Sequence, residues 1–215
     1  MNVSYSEKMG FVWCRVAKTG TRTLHQVLRD SVEDYVYVTG YKMTRREKEV
    51  VSNLLASGAF FFSCVRNPLD RLVSAWHDKI KKRYRSERWE LGWRNRCRRL
   101  DASVSADAIA EWDFDFFVEK LAGSDLLARD IHFMPQSQIL APYKLDYLAR
   151  FERYEHDILH ILHRLALPIS ELPQKNATSH SRKNTKGNYP PRTKDIVAKL
   201  YACDFEKYGY SCEKL

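Results

Sequence analysis

Apolar residues fall into short, separate blocks whose spacing alternates between the strand period and the helix period. Residues 11–16, Phe-Val-Trp-Cys-Arg-Val, form an apolar and β-branched run that suits a buried strand. The run breaks at Ala17-Lys18-Thr19-Gly20-Thr21-Arg22, after which Leu24, Val27 and Leu28 recur at helical spacing. The pattern predicts a strand, a small polar loop and a helix N-terminus. A short strand is expected over Tyr35–Val38, and a helix over Thr44–Ala56 with Thr44 as N-cap and Glu47 completing a capping box. Ala59–Val65 reads as a second buried strand. It stops at Arg66-Asn67-Pro68, where a proline suits the first turn of a helix, and Leu69, Leu72, Val73 and Trp76 mark one face of that helix. Two strand–loop–helix units joined by a helical crossover predict an α/β fold: a central parallel sheet flanked by helices, with a P-loop-like turn for phosphate.

Farther on, the spacing predicts a helix over Trp112–Leu121, a strand over Tyr147–Phe151, an amphipathic helix over Tyr154–Leu165 and a last helix over Arg192–Tyr201. Residues 83–105 are polar, basic and dotted with Trp89 and Trp93, and read as a surface excursion; residues 179–192 hold no large aliphatic side chain and read as a mobile loop. A length of 215 residues suits one domain, 1–215. An apolar fraction of 44% is enough for a core and excludes wholesale disorder. The longest nearly apolar stretch, Gly58–Val65, is far short of the ~20 residues a membrane helix requires. The first ten residues carry no apolar signal core, so a soluble, cytoplasmic chain is expected. The five cysteines are scattered without CxxC spacing, which argues against a structural zinc or a disulfide framework and for a reducing compartment.

Charge sharpens the picture. The net charge is +9, and ten basic against two acidic residues lie between Lys79 and Arg99. Such a local field attracts an anionic partner without saying which anion.

Two constellations carry chemistry. In Lys18-Thr19-Gly20-Thr21-Arg22-Thr23, a loop between a strand and a helix aims free backbone N–H groups outward, and the helix dipole adds positive potential. Gly20 permits close approach, the threonines offer hydroxyls, and Lys18 and Arg22 bring full charges, which together suit a phosphate-like group. The order is not that of a Walker A loop, because Lys18 precedes Gly20, and no strand ends in an evident Walker B aspartate. In the second constellation, Arg66 ends a strand, where an open α/β sheet puts its ligand, and Ser74 lies two turns into the next helix. Arg71 has Asp70 and Asp78 within reach as partners.

Together these stretches resemble a known family. Val65-Arg66-Asn67-Pro68-Leu69-Asp70-Arg71-Leu72-Val73-Ser74-Ala75-Trp76 resembles the 3′-phosphate-binding segment of the sulfotransferases, and Ala17-Lys18-Thr19-Gly20-Thr21-Arg22-Thr23-Leu24 resembles their 5′-phosphosulfate loop. His132-Phe133-Met134-Pro135-Gln136, Phe151 to Asp157, His180 to Thr185 and Asp204 to Tyr210 follow the motif order of the Golgi-type carbohydrate sulfotransferases. Ala17 stands where that family usually has proline, and the cysteine pair that often follows its H-x-x-P-Q motif is absent. The resemblance implies 3′-phosphoadenosine 5′-phosphosulfate as donor, no metal, and a carbohydrate or other hydroxylated acceptor, anionic or lipid-linked, rather than nucleic acid.

The resemblance also implies roles. Lys18 stabilises the leaving oxygen, the amides of Thr19, Gly20, Thr21, Arg22 and Thr23 hold the 5′ end, Arg66 and Ser74 hold the 3′-phosphate, and Arg182 and Lys183 act as a lid. His132 is the first choice for the proton acceptor; between the two phosphate motifs, His25, Glu33, Asp34 and several tyrosines are the other candidates. His156, His160 and His163 recur at helical spacing without a second ligand set and read as a polar stripe. The alternative reading is a non-catalytic basic module centred on residues 79–99; a magnesium-dependent phosphotransferase is the third.

Overall fold

The first strand is one that the hydrophobic pattern does not announce. In the computed structural model, which describes residues 2–39, 42–82, 87–173 and 189–211, β1 (Val3–Ser6) alternates Val3 and Tyr5 with Ser4 and Ser6, and all four are buried. The buried serines have partners: Ser4 Oγ accepts from the Tyr35 hydroxyl at 2.8 Å, and Ser6 Oγ donates to Asp34 at 2.5 Å. A turn with Gly10 at φ +61° leads back into β2 (Phe11–Cys14), antiparallel to β1. The chain continues through α1 (Thr21–Ser31), β3 (Val36–Val38), α2 (Arg45–Ala56) and β4 (Phe60–Val65). The Thr44–Glu47 capping box forms as expected.

The chain then builds α3 (Pro68–Trp76), α4 (Glu87–Leu100), α5 (Ala106–Glu111), α6 (Phe114–Ala122), α7 (Leu126–Arg129) and α8 (Gln136–Leu140). It closes with β5 (Tyr147–Arg150), α9 (Tyr154–Arg164), α10 (Pro191–Leu200) and α11 (Ala202–Tyr208). Two units result: Met1–Arg66 with Ile139–Asn176, and Asn67–Gln138 with Ala177–Leu215.

The first unit holds the whole sheet, in the order β3-β1-β2-β4-β5. The class is α/β, but the sheet is mixed rather than parallel. β2, β4 and β5 pair in parallel, whereas β1 is antiparallel to both of its neighbours. The reason is the short β1–β2 turn, which can only reverse the chain, while each parallel step is made by a longer crossover. Phe11, Trp13 and Phe62 from the sheet pack with Leu24, Val27 and Leu28 of α1 and with Ile158, Ile161 and Leu162 of α9.

The topology positions a site. From the end of β2 the chain crosses toward the β3 edge, and from the end of β4 it eventually returns on the β5 side. Adjacent strands whose connections leave in opposite directions form a switch point, and the crevice beyond their C-terminal ends is where open α/β sheets bind ligands.

The second unit is helical, with Leu72, Trp76, Trp93, Phe117, Phe133 and Val197 among its core. Residues 87–100, expected as a surface excursion, form a helix that buries Trp93, Cys97 and Leu100. The spacing of these three is helical, and the arginines between them hide it. Much of the basic charge there meets carboxylates: Arg94 with Glu90 at 2.7 Å, Arg96 with Asp130 at 2.5 Å and Arg99 with Asp125 at 2.7 Å. The helix expected over Arg192–Tyr201 is α10, and α11 follows it. Of the loop expected over 179–192, residues 179–188 lie outside the described residues.

Candidate functional site

The loop after β2 is backbone held in an unusual shape. Lys18 has φ +73° and Gly20 has φ +77°. A left-handed conformation costs a lysine on the order of 1 kcal/mol and costs glycine almost nothing, so the strain falls on Lys18. Gly20 is the N-cap of α1 and offers no side chain to it, and the first turn holds no acidic residue. Side chains of Thr44, Asn67, Ser105 and Asp113 cap α2, α3, α5 and α6, whereas α7, α9, α10 and α11 lack a side-chain cap, as α1 does. The Thr23 N–H closes the first turn on the Gly20 carbonyl at 3.2 Å, and a helix start with a glycine N-cap can present its remaining N–H groups to an anion. Thr19, expected to offer its hydroxyl outward, is 1% exposed and donates it to the Val16 carbonyl at 2.9 Å. Thr21 and Thr23 are partly exposed and Arg22 is exposed.

Arg66, at the end of β4, is 5% exposed. Its Nη1 lies 3.5 Å from the Lys18 carbonyl oxygen, and its guanidinium carbon lies 4.4 Å from the centre of the Phe151 ring. The two predicted anion-binding segments thus meet at the switch point of the sheet. The planar fork of arginine suits a phosphate there.

Two residues secure this arrangement: Tyr154, which was not singled out from the sequence, and Asp157, which ends the Phe151–Asp157 motif. Tyr154 donates its hydroxyl to the Gly20 carbonyl at 2.6 Å, and its ring fills the space in which a Cβ on residue 20 would fall, 2.4 Å from Cε2. Burial pushes the Tyr154 phenol up, so it stays a donor. Asp157, fully buried, accepts from the Arg150 N–H at 2.7 Å, His156 Nδ1 at 3.0 Å and Arg153 Nη2 at 3.4 Å. Burial alone would raise this carboxyl; the bonds from His156 and Arg150 and the Arg153 charge bring it below the usual range. Asp157 thereby fixes the β5–α9 corner from which Phe151 and Tyr154 reach the loop. The histidine stripe is resolved likewise: His156 pairs with Asp157, and His160 stacks on Tyr147 with ring centres 4.7 Å apart.

In the second unit, Ser74 is partly exposed on α3. Arg71 does not need Asp70 or Asp78 to account for its burial: it donates to the carbonyls of Ile131 and Met134, each at 3.0 Å. His132 sits in the turn so held. Its backbone N–H and its Nδ1 both meet Asp130 Oδ1, at 2.9 and 2.6 Å. Asp204 accepts the N–H groups of Gln136 at 2.8 Å and Ser137 at 2.6 Å, and Tyr201 donates to the Phe133 carbonyl at 2.6 Å. The H-x-x-P-Q stretch and the last helix, distant in sequence, are thus one hydrogen-bonded assembly. Arg182 and Lys183 lie outside the described residues.

The family model for sulfotransferases matches residues 1–211, and the chain belongs to the sulfotransferase family. No curated protein and no solved structure matches it.

Proposed function

We propose that this member of the sulfotransferase family takes a sulfuryl group from 3′-phosphoadenosine 5′-phosphosulfate and delivers it, by in-line displacement, to a hydroxyl of a carbohydrate or glycan-like acceptor. The observation that carries the reading is the meeting of the strained Lys18–Gly20 loop with the Arg66 guanidinium beyond the ends of β2 and β4. An uncapped helix start with no acidic residue in its first turn fits the 5′ end of such a donor. Lys18 supplies charge where the leaving phosphate oxygen becomes more negative, and the amides from Thr19 to Thr23 hold that end. Arg66 serves the 3′-phosphate. Positioning and fixed charge do most of this chemistry, as in phosphoryl transfer.

The cytoplasmic, reducing setting of this reading rests on the scattered spacing of the five cysteines. The competing reading as a basic polymer-binding module is weakened at Arg94, Arg96 and Arg99 of α4, each of which engages a carboxylate. The test is transfer of radiolabelled sulfate from the donor to a panel of glycans, lipid-linked sugars and small hydroxylated metabolites. Label in a carbohydrate product is expected. Label only in a non-carbohydrate product would overturn the acceptor class, and donor that is neither bound nor turned over would overturn the reading.

A further inference from the structure

A second polar cluster borders the same loop, on the side away from β4. Arg15, which follows β2, is 6% exposed, yet the groups acting on its charge are Tyr37, Tyr35 and Cys14, none of them a carboxylate. Its Nη2 donates to the Val38 carbonyl, its guanidinium carbon lies 3.3 Å from the centre of the Tyr37 ring, and its buried Nε has no hydrogen-bond partner. His25 stands one turn along α1 from Thr21, about 6 Å along the helix axis. Side chains on a helix lean back toward its N-terminus, so the imidazole inclines toward the loop. Its ring centre lies 4.3 Å from that of Tyr37, and its Nδ1 lies 3.1 Å from the Tyr35 hydroxyl.

The hydrogen bonds select the tautomer. The Tyr35 hydroxyl has one proton and donates it to Ser4 Oγ at 2.8 Å. Toward His25 it is therefore an acceptor, which puts the ring proton on Nδ1 and leaves a lone pair on Nε2. Burial pushes the Tyr35 phenol up to about 12, so the chain of donors holds across the neutral range. No hydrogen bond engages Nε2 among the described residues.

The topology says why a base belongs here. Along the sheet order, β4 and Arg66 flank β2 on one side, and β1 and β3 flank it on the other. If the donor spans from the β2 loop to Arg66, in-line attack brings the nucleophile from the opposite side, where Arg15, His25, Tyr35 and the half-exposed Tyr37 are gathered.

We propose that His25 is the proton acceptor of the transfer, with the acceptor hydroxyl entering over Tyr37 from the β1–β3 side. The inference rests on the sulfuryl-transfer reading. As the bond from acceptor oxygen to sulfur forms, the bond from sulfur to the leaving phosphate oxygen breaks and its electron pair departs with adenosine 3′,5′-bisphosphate. The hydroxyl proton passes to His25 Nε2, giving an imidazolium whose Nδ1–H stays on Tyr35, a positioning residue, and then passes to solvent. The charged groups around the ring agree with a neutral resting state: burial, then Arg15 and Arg29, push it below its ordinary value against the opposing pull of Asp30.

Two measurements on the full chain test this. With adenosine 3′,5′-bisphosphate bound, ¹⁵N histidine spectra at pH 7 should find His25 neutral with its proton on Nδ1, and Tyr35→Phe should lose that preference. A charged ring, or a proton on Nε2, overturns the proposal. In donor turnover with water as acceptor, His25→Gln should lower the rate about 100-fold and abolish the acid limb of the pH profile. Affinity for the bisphosphate should stay within about twofold, and Tyr35→Phe should displace the limb. An intact limb in His25→Gln, or its loss in His132→Gln instead, overturns the proposal while leaving the donor reading in place. Failure of the wild-type chain to bind the bisphosphate sinks the donor reading and this proposal with it.

Discussion

The Lys18–Thr23 loop and the Asp130–Ser137 turn both carry family motifs, and both join polar residues to a buried frame, yet they differ in backbone conformation and in how the following helix is opened. In the turn, bonds point inward. Asp130 grips His132, Arg71 holds two carbonyls, and Asp204 receives the two N–H groups that open α8. In the loop, a lysine is held at positive φ and the helix it introduces opens without a side-chain cap. A densely bonded network makes a rigid part, even with the buried Ser137 hydroxyl unpartnered among the described residues. On the proposed reading, a strained loop with an uncapped helix receives an anion. Motif membership alone does not tell these apart; the backbone conformation and the opening of the following helix do.

The contrast can be broken most directly at Lys18. Lys18→Gly removes the ammonium and also relieves the left-handed strain, so turnover should fall about 10²- to 10³-fold while stability holds or rises slightly. A fall in thermal midpoint together with activity would return Lys18 to a structural role. The reverse is expected in the turn. Asp204→Ala strands buried donors of Gln136 and Ser137 and should cost about 3 kcal/mol in denaturant unfolding; an unchanged midpoint would mean that Asp204 does not hold the assembly together. Tyr154→Phe sharpens the boundary between the two behaviours, because it removes one inward bond from the receptor loop. The expected loss is about 1 kcal/mol, read by thermal unfolding, with weaker binding of adenosine 3′,5′-bisphosphate; tighter binding would contradict a supporting role.

Acid should act on both regions alike, and least. Asp157 and Asp130 are each held below the usual carboxylate range. For Asp130 burial opposes this, but the His132 bond and charge and the Arg96 charge prevail. A depressed folded pKa means that the unfolded chain binds the proton more readily. The stabilisation is thus fully present above the unfolded value, near ~3.9, and is lost as pH falls below it toward the folded values. The thermal midpoint should drop below about pH 4, and Asp130→Asn should blunt that drop without changing its direction. A midpoint that rises on acidification would contradict both assignments.

Where local chemistry decides an element, the sequence was enough to read it. Thr44 with Glu47 started a helix, Pro68 took the first turn of another, and the apolar run at 60–65 became β4. β1 was illegible because its two buried serines are satisfied by Asp34 and Tyr35, some thirty residues away. α4 was illegible because arginines separate Trp93, Cys97 and Leu100. The turn after β2 and the arginine ending β4 were legible as elements, and their anion-binding role is part of the proposed function. Arg15 and Tyr154 were not legible, since nothing in their neighbours foretells that one sits buried without a carboxylate and the other closes over Gly20.

Calorimetry compares adenosine 3′,5′-bisphosphate with adenosine 5′-monophosphate on the wild-type chain and on Arg66→Ala. The bisphosphate should bind at least tenfold more tightly than the monophosphate, and that preference should collapse in the variant. Equal affinity for the two nucleotides, or a preference that survives loss of Arg66, would contradict an anion site shared between the ends of β2 and β4.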